Sequence, residues 1–299
     1  MSDQETTVST SDQEIAELMV CRIASEMDES GVTVLGSFTP LAYASYMLAK
    51  LTHAPDAYMV GYNAMGMPAV ELAFMGAEAA AYRGSTARWG FIDNVNVVHL
   101  ANRGNVEAVS SAQIDQDASI NLSVIGDWNR PKVRLPGGVG APEVVQNYRT
   151  MLAYFGRHDP RILTEKVDFA TGGRYPISAE ARRARGLQDG PVKIITPIAV
   201  LIKTDDGVPF AIESVHGGAS VDDVIAATGF ELRVPDDVPA TTEPTEEQRR
   251  LIRERIDPFG TIRFDFMTGA ERAGYLREII DREWSRAESA LADAGRVRG

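Results

Sequence analysis

Apolar residues recur at helical spacing from Gln13 to Met27, where Ile15, Leu18, Met19 and Ile23 share one face, and the β-branched run GVTVLG follows. The pattern predicts a helix and then a short strand ending in glycine. In the next segment, SFTPLAYASYMLAKLT, Thr39 stands at an N-cap position and Pro40 at the first helical position, which predicts a tight loop and a second helix. Ala57 to Val60 reads as a second strand that runs into the loop Gly61 to Pro68. Asn105 to Val109 and Val192 to Ile202 read as further strands, and between them the glycine-rich stretch Pro136 to Pro142 precedes the helix-forming Glu143 to Gln146. Strands that feed loops before helices predict an α/β fold with an open, mainly parallel sheet flanked by helices, whose ligands sit beyond the carboxyl ends of the strands.

Polar segments bound this pattern. Residues 1–12, rich in Ser, Thr, Asp and Gln, are expected to form a disordered tail. Residues 13–234 form the α/β domain. The proline-rich, acidic stretch PDDVPATTEPTEE opens residues 235–299, a connector and helical segment that packs on the domain or on a partner. Within it QRRLIRERIDP predicts a short charged helix stopped by Pro258. Arg272 to Ala294 predicts a longer helix with Tyr275, Ile279, Ile280 and Trp284 on its apolar face.

Composition narrows the function classes. Forty-two acidic against thirty basic side chains among 299 residues give a net charge of −12, which repels a phosphate backbone and excludes nucleic acid as a partner. No apolar run approaches the roughly 18–20 residues of a membrane span, and no targeting signal is visible, so a cytoplasmic location without membrane attachment is expected. The single cysteine, Cys21, lies on an apolar helical face and reads as a small core residue. His53, His99, His158 and His216 fall in no metal-ligand spacing, so no metal is expected.

One family shares the order of these segments. Leu51 to Asp56, Ala112-Gln113-Ile114-Asp115, Asn121, Ser123, Ile125-Gly126-Asp127, Pro131-Lys132, Arg134, the loop Gly137 to Ala141, Lys166-Val167-Asp168, Ser220 to Val224, Thr228 to Leu232 and Ile256-Asp257-Pro258 together resemble the β subunits of family I CoA-transferases. Glutaconate CoA-transferase is the nearest type, and the branch includes the β subunit of the cholesterol ring-cleaving hydrolase. The resemblance implies the NagB/RpiA/CoA-transferase-like fold and an α-type partner subunit in a hetero-oligomer, α2β2. It implies an acyl-CoA substrate, with coenzyme A as part of that substrate and no covalently bound cofactor. Individually, Asp115, Asn121 and Asp127 also read as caps or turn formers.

The departure from the family is specific. Its transferases carry a glutamate after the second strand, in an ENG or ESG triplet, that becomes the glutamyl-CoA carrier. Here the triplet is Tyr62-Asn63-Ala64, and no Asp or Glu lies between Asp56 and Glu71. A phenol with a pKa of about 10 is protonated at neutral pH and is a poor acyl carrier, although it donates hydrogen bonds and shuttles protons. The resemblance therefore implies hydrolysis or retro-Claisen C–C cleavage, with Tyr62 and Asn63 as the catalytic pair; transfer with a carboxylate from the partner, and a scaffold without catalytic groups, remain as alternatives. Gly61, Ala64, Ser37, Gly137, Gly138, Val139 and Gly140 are the expected CoA- and acyl-binding positions. Each has a plain structural reading as well: a glycine turn that needs only positive φ, a tyrosine filling a subunit interface, an N-cap at Thr39. The general base is expected from the α subunit.

Overall fold

A computed structural model describes residues 10–29, 31–36, 39–61, 64–69, 71–74, 83–88, 90 and 104–297. Its strands in chain order are β1 (Val32–Val34), β2 (Tyr58–Gly61), β3 (Ala64–Met65), β4 (Ala87–Arg88), β5 (Gly104–Val109), β6 (Gln113–Asp115), β7 (Ser119–Asn121), β8 (Val124–Gly126), β9 (Pro131–Arg134), β10 (Thr150–Tyr154), β11 (Leu163–Thr164), β12 (Gly172–Gly173), β13 (Val192–Ile195), β14 (Ala199–Lys203), β15 (Phe210–Val215) and β16 (Leu232–Arg233). Ten of them form one sheet in the order β16-β15-β14-β13-β10-β5-β1-β2-β3-β4. The central five, β13 through β2, are all parallel. As expected for a parallel sheet, the central strands are apolar on both faces.

The two faces carry separate cores. Helices α1 (Thr10–Ala24) and α2 (Pro40–Leu51) cover one, where Met19, Ile23, Leu48 and Met59 pack with Val106 and Leu152. Positions Pro40 to Ala49 of α2 are all buried, because the helix is apolar on every side and is enclosed by the sheet, α1 and the turns near residues 251–266. The other face is covered by α3 (Ala141–Asn147) and by a small sheet, β11-β6-β7-β12, beside the β8–β9 hairpin. Its core joins Val34, Val60, Ile114, Val144 and Ile194.

Three expectations are corrected. The run Val192 to Ile202 is two antiparallel strands, since Pro197 cannot donate to a ladder and Thr196 folds the turn by accepting the Ile198 and Ala199 amides on its hydroxyl. Thr39 occupies the N-cap of α2 without a side-chain cap bond. The carboxylate of Asp265, 224 residues on, accepts the Leu41 amide at 3.1 Å instead. Trp284, expected on the packed face of the last helix, α7 (Gly269–Val297, following α4 Ala179–Arg183, α5 Val221–Ala227 and α6 Glu246–Arg250), is 58% exposed, while Tyr275 and Ile279 are buried as expected.

Candidate active site at the switch point of the sheet

The order of the parallel strands sets where a crevice can open. From β1 the chain moves outward through α2 to β2, and from β5 it moves the opposite way, to β10 and β13. The boundary between β1 and β5 is therefore the point where the winding reverses, and ligands of open α/β sheets bind beyond the carboxyl ends there. The β1–β5 ladder is already irregular at Thr33, where the register shifts. Past it Leu35 turns its amide to the Val60 carbonyl of β2, at 2.7 Å. The Ala108 amide of β5 donates instead to the Tyr46 hydroxyl of α2, at 2.6 Å. Beyond Thr33 β1 and β5 no longer pair, and the Tyr46 phenol stands where a ladder partner for Ala108 would be.

Glu107 stands at that break in the ladder. Val106 and Ala108 pack into the α1–α2 core and Val109 into the other, so strand alternation puts Glu107 on the side of α3. The residue is 8% exposed, and its Oε2 is buried without a hydrogen-bond donor among the described residues. Opposite is Gly36, where an added methyl carbon would stand 3.0 Å from Glu107 Oε1. Burial raises the Glu107 carboxyl to about 8. Burial, and next the Glu107 carboxylate, likewise hold the Tyr46 phenol protonated.

The other buried acids of the described residues are all satisfied. Glu17 accepts from Arg253 at 2.6 Å and from Arg249. Asp115 accepts the Asp117, Ser119 and Val167 amides. Asp257 accepts those of Thr261 and Ile262, and Glu283 that of Phe74. Glu143 Oε2 also lacks a donor, but Glu143 is only half-buried, in the first turn of α3. At the opposite end of β5, Asn105 is tied to Asp28 and Arg149. Among the described residues a buried acid without a donor is thus an exception, found at the sheet's switch point.

The positions expected from sequence fall on both sides of this edge. Gly61 and Ala64 pair across the β2–β3 ladder, and the residues between them, Tyr62 and Asn63, lie outside the described residues, as does Ser37. An added methyl at Gly61 would stand 2.8 Å from Leu35 Cβ, so Gly61 packs on the residue next to Gly36. Ala64 is fully buried in the α1–α2 core and presents no side chain to a crevice. The loop Gly137 to Gly140 belongs to the other side. Tyr148, just past α3, lies on Gly104 at the start of β5, so α3 runs against the strands and its leading loop points towards their carboxyl ends. Gly137 has φ +102° and donates to the Leu122 carbonyl, while Val139 has φ +48° and is 82% exposed. Gly138 packs against Thr171 and Pro142. These neighbours belong to the small sheet and α3, on the opposite side from Gly61 and Ala64. Sequence reasoning missed Glu107; its one signal was a lone acid inside the apolar run NVEAV.

Comparison with known proteins places this geometry. No protein-family model matches the chain. It is 30% identical over 241 residues to the B-type subunit of 3-oxoadipate CoA-transferase from Pseudomonas knackmussii, across 79% of this chain and 91% of that one. The chain belongs to the family of CoA-transferase B-type subunits. The corresponding half of glutaconate CoA-transferase from Acidaminococcus fermentans is 29% identical over 81% of this chain and 92% of its own length. The cholesterol ring-cleaving hydrolase IpdB subunit of Rhodococcus jostii is 29% identical over the same shares. A chain in the crystal structure of the Acidaminococcus fermentans glutaconate enzyme has the same fold, with a TM-score of 0.71 and 24% identity over 88% of this chain and 99% of that one.

In this CoA-transferase-family protein the run around Ala112 to Asp127 is architectural. Asn121 donates to Gln113 Oε1 and the Val124 carbonyl and accepts from the Ser123 and Val124 amides. Asp127 accepts the Asn129 and Arg130 amides. Cys21 is partly buried against the α1–α2 core, and burial pushes its thiol up to about 12.

Buried His216 and half-buried His158 are committed as well. His216 Nε2 faces the Thr196 carbonyl at 2.8 Å, which makes it the donor and leaves Nδ1 to accept from the Thr241 hydroxyl. His158 bonds the Thr196 and Thr228 hydroxyls, and burial lowers its pKa from 6.5 to about 4. Its folded pKa lies below the unfolded one, so the unfolded chain binds the extra proton between those values. The stability contribution of His158 is full above pH 6.5 and is lost as pH falls towards 4. Urea midpoints at pH 7 and pH 5 should show this fall, and His158→Gln should flatten it.

Proposed function

We propose that this chain is the β-type half of an α/β hetero-oligomer, α2β2, that acts on an acyl-CoA thioester by hydrolysis or retro-Claisen cleavage. The observation that carries the reading is the pairing of Gly61 with Ala64 at the carboxyl end of β2, the strand next to β1: the two residues between them in sequence, Tyr62 and Asn63, offer no carboxylate. A glutamyl thioester cannot form there. Water adds instead to a carbonyl β to the thioester, the C–C bond breaks, and the thioester enolate leaves with the electron pair and takes up a proton. One product is a carboxylic acid and the other a shortened acyl-CoA. Tyr62 and Asn63 are the proposed donors to the thioester carbonyl. Gly61, Ser37 and the Gly138-Val139-Gly140 stretch form the proposed path of the acyl chain and CoA, the stretch through its backbone amides; Ala64, buried in the α1–α2 core, and Gly137, whose amide is taken by the Leu122 carbonyl, stand outside it. Coenzyme A enters as part of the substrate, and the enzyme works in the cytoplasm.

The 30% identity to half of an enzyme named as a 3-oxoadipate CoA-transferase favours a second reading, transfer with the carboxylate supplied from elsewhere. Borohydride separates the two. The assembled complex, incubated with acetoacetyl-CoA and then borohydride, is expected to keep its activity and to form acetate and acetyl-CoA with water as the only acceptor. Irreversible inactivation with a reduced glutamyl residue in either half of the complex would establish transfer.

A further inference from the structure

We infer that Glu107 is the proton-transfer carboxyl of this chain, set at the β1–β5 crevice to serve the carbon and oxygen atoms of a 3-oxoacyl thioester bound over Gly36. The inference rests on the thioester reading above and adds the group for which that reading looked to the partner. Three independent observations support it. Glu107 is near the carboxyl end of the strand where the winding of the sheet reverses. It is the buried acid of the described residues that has no donor, whereas Glu17, Asp115, Asp257 and Glu283 all have one. The neighbour facing it is Gly36: the place of its absent Cβ lies 3.0 Å from Oε1, so the carboxyl meets main chain there and no side chain.

A buried acid without a donor destabilises a fold, and a position kept at that cost is a mark of function. The groups that share the site do not neutralise it: Tyr46 from α2 and Tyr148 from the end of α3 are phenols that burial keeps protonated. With its pKa raised to about 8, the carboxyl is ionised in a useful fraction near neutral pH and remains basic enough to accept a proton.

The step balances on one group. Ionised Glu107 takes a proton from water as the oxygen bonds to the β-carbonyl carbon. The C–C bond then breaks, its electron pair passing to the thioester enolate. Protonated Glu107 returns that proton to the enolate carbon and is again ionised. Water contributes hydroxyl to the acid and hydrogen to the thioester product, and no redox partner is needed.

The test uses the assembled complex, wild type and Glu107→Gln, with acetoacetyl-CoA as probe. The glutamine variant is expected to bind the probe within a few-fold of wild type and to form acetate and acetyl-CoA at least about 100-fold more slowly. It should also lose the rise of kcat towards pH 8. A structural role would not produce the second signature. Glu107 is protonated in the fold and ionised in the unfolded chain between about pH 4.5 and 8, so its stabilising contribution is complete below 4.5 and is lost as pH rises to 8. Glu107→Gln should therefore flatten the wild-type loss of thermal stability across that window. In infrared difference spectra, the protonated-carboxyl band missing from the variant should shift in wild type when the probe binds. A wild-type rate in Glu107→Gln, or a band indifferent to bound probe, overturns the assignment. A complex that binds neither CoA nor acetoacetyl-CoA overturns the thioester reading, and the assignment with it.

Discussion

Replacing Arg174 by methionine is expected to cost about 4 kcal/mol of stability, because the side chain is a fully buried hub for main-chain carbonyls. Its Nη1 donates to the Tyr148 carbonyl at 2.7 Å, and its Nη2 donates to those of Arg149 and Gly190 at 2.6 and 2.9 Å. Tyr148 and Arg149 lie where α3 ends and β10 begins, and Gly190 lies just before β13. A helix leaves its last carbonyls without partners in its own ladder, and here they are too deep for water. Arg182 serves the same region, donating to the Gln146, Pro176 and Gln188 carbonyls. Methionine matches the length and removes every donor, leaving three acceptors unsatisfied at about 1–3 kcal/mol each. Part of this is returned, since the lost guanidinium was itself poorly solvated: burial, and next the Arg182 charge, lower its pKa to about 9. Urea unfolding should show the midpoint falling with little change in slope. Arg174→Lys should recover only a fraction, because one ammonium cannot span the Tyr148, Arg149 and Gly190 oxygens as the planar fork does. A midpoint unchanged in Arg174→Met would mean that these carbonyls find other donors.

That hub also bears on function. Arg174 and Arg182 fix the trailing end of α3, and α3 carries the Gly137–Gly140 loop at its leading end. Holding one end of a seven-residue helix sets the direction of the other.

The parallel sheet was legible because its strands are short β-branched runs that end in glycine or in a loop, and the local pattern coincides with the global one. Val32 to Val34, Tyr58 to Gly61 and Gly104 to Val109 lie within a residue or two of the predicted runs. Failures arose where a distant residue decides a local outcome. Thr39 has the identity of an N-cap, but Asp265 takes the role, and nothing near position 39 announces a carboxylate arriving from the far end of the chain. Trp284 fits the helical period, yet the packed face ends at Ile279 and Glu283, where Glu283 meets the Phe74 amide.

Glu107 escaped for a related reason. Alternation along NVEAV allows an acid facing water or an acid facing a layer of helices, and only the order of strands distinguishes them. That order is set by β1, β5 and β10 meeting in space, separated by long stretches of chain. The same applies to Gly36, read from sequence as the end of a strand. Its lack of a side chain matters because Glu107 lies opposite.

Filling that space should therefore silence the enzyme while leaving the fold intact. Gly36→Val is expected to lower kcat/KM of the assembled complex about 100-fold, the scale on which a misplaced or blocked reacting centre reduces rate. The argument is steric first. A Cβ at Gly36 stands 3.0 Å from Glu107 Oε1, which a carboxyl at the end of a flexible side chain can relieve by moving a few tenths of an ångström. Alanine is accordingly tolerated, with an intermediate loss of rate. Valine adds two methyl groups to the same gap and occupies the volume a thioester would enter. The backbone at Gly36 is not in the left-handed region, so the cost to stability is confined to crowding against Glu107 and is expected at about 1–3 kcal/mol. The separation of the two measurements is the point of the variant: a rate lost about 100-fold in a complex that still assembles and melts cooperatively identifies the β1–β5 seam as the place where substrate sits. Wild-type kcat/KM in Gly36→Val would move the substrate elsewhere and leave Glu107 facing an empty seam. In combination with Glu107→Gln the losses should be strongly sub-additive, since both substitutions remove the same approach of carboxyl to substrate.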